Sequence, residues 1–182
     1  MHMVTLGLVT AGIAACESDI LCRFPENECT CELCVDACKS APCWGTPQEM
    51  DALIRAGYGK RLMMFVLPEG SFTKTPERDF EQRVEVLAPA MTNKGKRLKC
   101  GLRPHTGGSL TVSASSFGRC TFLNDKGLCE IHDLDMKPIE GRVEHHEIGY
   151  DEAIAIRRKI FETWNTPYGK EIVDRWTKEY FK

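Results

Sequence analysis

The chain has 182 residues, of which 42% are hydrophobic and 27% charged, a balance that is ordinary for a globular protein. The length predicts a single domain over residues 1–182. The formal net charge of −2 excludes the overall basic surplus that is typical of nucleic-acid-binding proteins, although it leaves room for a local basic patch.

Residues 1–16 contain no formally charged side chain, and they end in Ile-Ala-Ala-Cys, which loosely resembles a bacterial lipoprotein cleavage site. A signal peptide needs a positive region before its apolar run, and no Lys or Arg precedes Arg23. The segment is also shorter than the roughly 20 apolar residues of a membrane span. We therefore expect it to pack on the domain as a strand or helix, with no membrane partner.

Residues 17–45 are rich in Cys, Pro and Gly, which predicts irregular chain of the kind that wraps around a metal. A helix is predicted to start directly after them. Thr46 has the character of an N-cap, Pro47 suits the first helical position, and Glu49 completes a capping box. We expect this helix to end at Gly57.

The apolar run at residues 62–67, which ends at Pro68, predicts a strand. Thr75 and Pro76 then predict the start of a second helix, which Pro89 should end or kink. Three apolar residues share one face of this predicted helix at helical spacing: Phe80, Val84 and Leu87.

Residues 92–109 predict a basic loop, since five Lys or Arg side chains fall within residues 94–103. This basic segment, residues 94–103, is the expected contact surface for a protein or nucleic-acid partner. Residues 110–113 and 120–123 predict short strands. Residues 124–127 have the composition of a hairpin turn, which would bring Cys120 and Cys129 close together on neighbouring strands.

The C-terminal part, residues 151–181, predicts a pair of helices. The first runs from about residue 151 to 164, and the second starts at Thr166 and Pro167 and runs to about residue 180. Four residues recur at every fourth position of the second helix and predict a packing face: Tyr168, Ile172, Trp176 and Tyr180. Together these elements predict a small mixed domain of the α+β class, with an irregular Cys-rich segment, a short β-hairpin and C-terminal helices.

Ten cysteines are the unusual feature of the composition, and five of them fall between residues 29 and 43. Such a density indicates either a disulfide scaffold or a metal site. The disulfide interpretation fits secreted chains of under about 100 residues, whereas a chain of 182 residues can form a hydrophobic core without disulfide bonds. We therefore expect reduced thiols that bind metal, in a cytoplasmic protein.

Thiolates suit zinc, copper(I) and iron–sulfur centres, and structural zinc typically takes four Cys or His ligands in closely spaced pairs. The spacing does not choose the metal. Two ions, or one iron–sulfur cluster with spare thiols, would both fit, although the ferredoxin spacing is absent. The candidate ligands lie in two groups, with His132 following the second: Cys31, Cys34, Cys38 and Cys43, then Cys120 and Cys129. Cys16 and Cys22 lie outside this pattern and stay unassigned.

Two blocks, CELCVDACKSAPCWGTPQE within residues 29–49 and RCTFLNDKGLCEIHDLDMK at residues 119–137, resemble the YkgJ-type cysteine-cluster family, which is described as zinc- or iron-chelating. The resemblance implies five ligands: Cys31, Cys34, Cys38, Cys120 and Cys129. The chain departs from the family at Gly141, where the family usually has a final cysteine. Several residues are candidates to replace that ligand: Cys43, Cys29, Cys100, His132 and the His145–His146 pair.

Metal binding, with the metal structural or redox-active, is the function that these observations favour. Two alternatives stay open. The flagellin lysine methylases look like relatives of the family, which suggests an iron–sulfur-dependent modifying or redox enzyme. The basic loop instead suggests a zinc-stabilised nucleic-acid-binding protein.

Overall fold

The computed structural model describes residues 35–36, 38–39, 41–69, 79–93, 96–97, 118–143 and 148–180. This part of the chain contains both helices and strands, and the predicted α+β class is confirmed. The elements follow one another along the chain as α1 (Pro47–Leu53), β1 (Leu62–Glu69), β2 (Asp79–Pro89), β3 (Met91–Asn93), β4 (Lys96–Arg97), β5 (Arg119–Cys120), α2 (Ile139–Val143), α3 (Tyr150–Trp164) and α4 (Pro167–Tyr180).

Helix α1 begins as its sequence predicts. The Glu49 N–H donates to Thr46 Oγ1 at 3.4 Å, and the Thr46 N–H donates to Glu49 Oε2 at 2.7 Å, which together form a capping box. Pro47 takes the first helical position. The helical path continues irregularly to Gly57, whose φ of +87° turns the chain out of the helix. The predicted start is therefore confirmed; the regular helix ends at Leu53, and the chain leaves the helical path at the predicted Gly57.

The second predicted helix is wrong, because β2 occupies residues 79–89 and pairs antiparallel with β1. Residues 83–86 alternate between exposed and buried: Arg83 and Glu85 are exposed, whereas Val84 and Val86 are buried. This period of two, with β-branched residues on the inner face, suits a strand. The apolar β1 also needs a partner for its backbone groups, and β2 provides one along its whole length.

Ala90 connects this hairpin to a second sheet with the strand order β4-β3-β5. The Ala90 N–H donates to Arg61 O at 2.7 Å, and Ala90 O accepts from the Thr121 N–H at 2.8 Å. The second sheet corrects the predicted basic loop, whose first residues form β3 and β4. An extended β3 can form hydrogen bonds between its backbone and that of β5. In a loop, the same backbone groups would be left to bond with water. Residues 98–109 and the predicted strand at 110–113 lie outside the described residues.

Helices α3 and α4 pack against β2 and close the core. The Gly169 N–H donates to Thr166 Oγ1 at 3.1 Å, which confirms the predicted start of the second C-terminal helix. Ile172 and Trp176 are buried, so the centre of the predicted packing face is confirmed. No helix in the described part of the chain has the length and apolar character that crossing a membrane requires.

Candidate metal centre

A tight turn fixes the chain just before Cys129. The Gly127 N–H donates to Asn124 O at 3.0 Å, and Gly127 has a φ of +79°, which suits glycine. Asn124 Oδ1 accepts the backbone N–H groups of Lys126 and Leu128 at 2.9 and 3.0 Å. These bonds confirm the predicted turn.

The strand pairing of the two later cysteines differs from the prediction. Cys129 bridges to Leu123 across the turn, whereas Cys120 pairs with Met91 of β3. The reason is that the chain turns immediately after β5, where the Leu123 N–H donates to Cys120 O at 3.1 Å. Cys120 is therefore buried at 6% exposure, whereas Cys129 is half-buried.

Cys43 lies directly against Gly141. The resemblance to the cysteine-cluster family implies a further cysteine at that position. A Cβ atom built on Gly141 would lie 2.6 Å from Cys43 Sγ, which is closer than real side chains approach. The Cys43 thiol also lies 3.9 Å from Pro138 O, at the start of α2. Cys43 thus fills the space that a side chain at position 141 would take.

The chain next to Cys43 is held by α2 and α3. The Trp44 N–H donates to Glu140 Oε2 at 2.6 Å, and the Glu140 N–H donates back to Trp44 O at 3.2 Å. Helix α3 adds two further bonds: Arg157 Nε donates to Glu140 Oε1 at 2.6 Å, and Trp164 Nε1 donates to Gly45 O at 2.8 Å. The backbone that follows Cys43 is therefore fixed at Trp44 and Gly45, and the buried Glu140 carboxylate has strong donors for both oxygens.

Cys38 is half-buried and packs against the edge of the core. The chain around it lies against the turn that precedes Cys129. Val35 Cγ1 is 3.5 Å from a Cβ atom built on Gly127, which is an ordinary van der Waals distance. The N-terminal cysteine segment and the later hairpin turn are thus neighbours.

The charges of the four described thiols, which are not in disulfides, interact with one another. Burial raises the pKa of Cys43 well above its usual value, and Glu140, Cys38 and Cys120 raise it further, whereas Lys137 lowers it. Burial likewise raises the pKa of Cys120 to about 12; Cys38 and Cys129 add to the effect, whereas a Phe122 backbone hydrogen bond and Arg61 oppose it. The thiolates of Cys43 and Cys120 are therefore disfavoured, and a bound cation would offset both the burial and the repulsion.

These thiols do not form a complete ligand set by themselves. Among the residues that the structure describes, no three Cys, His, Asp or Glu side chains are arranged so that they would hold a metal ion. Of the predicted ligands, Cys31 and Cys34 lie outside the described residues. So do several of the predicted substitutes: Cys29, Cys100, His145 and His146. The donor chemistry of the described thiols still fits a thiophilic cation.

Two buried charged residues beside Cys43 escaped the sequence analysis. Lys137 and Glu140 are 7% and 5% exposed, and they flank the start of α2. Pro138 could have indicated the start of α2, because proline is common at the first position of a helix. Nothing in the local sequence shows that these charges are buried, since the partners that cover them lie far away in the chain.

A scan of family models found no match to this chain, and searches of curated proteins and of solved structures found none either.

Proposed function

We propose that this protein binds zinc or an iron–sulfur centre through cysteine thiolates from both halves of the chain. Four of the six proposed ligands are described, namely Cys38, Cys43, Cys120 and Cys129. Cys31 and Cys34 would complete the set. The metal would hold the N-terminal segment on the later hairpin, and it would be structural or redox-active.

The contact between Cys43 and Gly141 carries this proposal. The resemblance to the YkgJ-type family implies a cysteine at position 141, and the chain has glycine there. The Cys43 thiol lies where a side chain at position 141 would begin. A ligand from the N-terminal segment would therefore replace one from α2, with little change in where the sulfur lies.

The raised pKa values of Cys43 and Cys120 indicate how binding would proceed. Both thiols keep their protons at neutral pH in the metal-free protein, because burial disfavours their thiolates. A bound divalent cation stabilises thiolates and displaces those protons. Metal binding should therefore release protons in proportion to the number of cysteine ligands.

Elemental analysis and a visible spectrum of protein purified without oxygen test the proposal. We expect stoichiometric zinc without colour, or iron with acid-labile sulfide and visible absorbance. Cys43→Ser and Cys120→Ser should lower the metal content, whereas Cys22→Ser, at a cysteine outside the predicted pattern, should not. Wild-type metal stoichiometry in Cys43→Ser would contradict the proposed ligand set.

No observation among the described residues favours the modifying enzyme or the nucleic-acid-binding protein. Most of the basic segment at residues 94–103 lies outside them. The proposal is therefore limited to metal binding.

A further inference from the structure

We draw no further inference here: the strongest candidate, the side-chain cluster of Arg55, Tyr168 and Arg175 around the buried Asp51 carboxylate where α1 meets α4, holds these two helices together, and nothing among the described residues points to a ligand that its arginines would bind.

Discussion

Trp44 and Glu140 bind each other twice, through the Trp44 N–H to the Glu140 carboxylate and through the Glu140 N–H to the Trp44 carbonyl. The residues are 96 positions apart in the chain. This reciprocal pair fixes the backbone of the residue that follows Cys43, so a carboxylate outside the proposed ligand set determines where one proposed ligand lies.

Replacing Glu140 by Gln should therefore destabilise the protein and weaken metal binding together. The change removes the charge that Arg157 and the Trp44 N–H share in a buried site, and breaking such a pair costs about 3–5 kcal/mol. Urea unfolding measures the loss. Glu162→Gln is the matched control, because Glu162 lies exposed with its lysine partner 4.0 Å away, and it should cost less than about 1 kcal/mol. Equal losses in the two variants would contradict the buried role of Glu140.

The effect of Gly141→Ala on the free energy of unfolding should change sign depending on which residue occupies position 43. Alanine is favoured over glycine within a helix by about 1 kcal/mol. With Cys43 present, the new Cβ would collide with its sulfur, and overpacking of this kind costs about 1–3 kcal/mol. In a Cys43→Ala background the collision disappears, and Gly141→Ala should become neutral or stabilising. A double-mutant cycle of unfolding free energies in the metal-free protein measures the coupling, and additive effects would show that the contact is absent in solution.

The same contact predicts that the ligand can be exchanged between the two positions. Cys43→Ala should lose metal. Cys43→Ala combined with Gly141→Cys should recover it, because the sulfur of a cysteine at position 141 would lie close to the position of the original Cys43 sulfur. Metal content and the cobalt spectrum measure the recovery. Cys43→Ala combined with Gly141→Ser is the control, since serine has a similar size without the thiol. Recovery in both double variants would mean that Cys43 does not bind the metal.

Alkaline conditions should destabilise the metal-free protein through Cys120. The pKa of this thiol is raised by burial from 9.0 to about 12, so the unfolded chain loses the proton first as the pH rises. The contribution of Cys120 to stability is therefore constant well below pH 9 and falls as the pH rises from 9 toward 12, by up to about 1.4 kcal/mol per pH unit. Unfolding of the wild type and of Cys120→Ala over a pH series checks this, and the variant should show a shallower slope. Parallel slopes would mean that Cys120 ionises equally in both states.

Local signals in the sequence predicted local structure well. The starts of α1 and α4 depend on a threonine and a proline next to each other in the chain, and both were predicted from those residues. Strand β2 was missed because Val84 and Leu87 also fit helical spacing. Only its pairing with β1 selects the strand.

The candidate site likewise has features that follow from the local sequence and features that depend on distant residues. The turn at Asn124 and Gly127 follows from its own residues, whereas the burial of Glu140 depends on Trp44 and Arg157. The proximity of Cys43 to Gly141 joins residues that no spacing rule connects. A cysteine count therefore predicts the chemistry of the cluster, and the tertiary structure decides which thiol faces which backbone.

The bond from Trp164 to the Gly45 carbonyl, described above, has a consequence for the order of events during synthesis. All six proposed cysteine ligands leave the ribosome before Trp164 does. The backbone beside Cys43 acquires its anchor only once α3 has emerged and packed. A nascent chain that already displays every thiol would thus still lack the geometry for tight loading, so insertion of the metal should follow translation of the C-terminal helices.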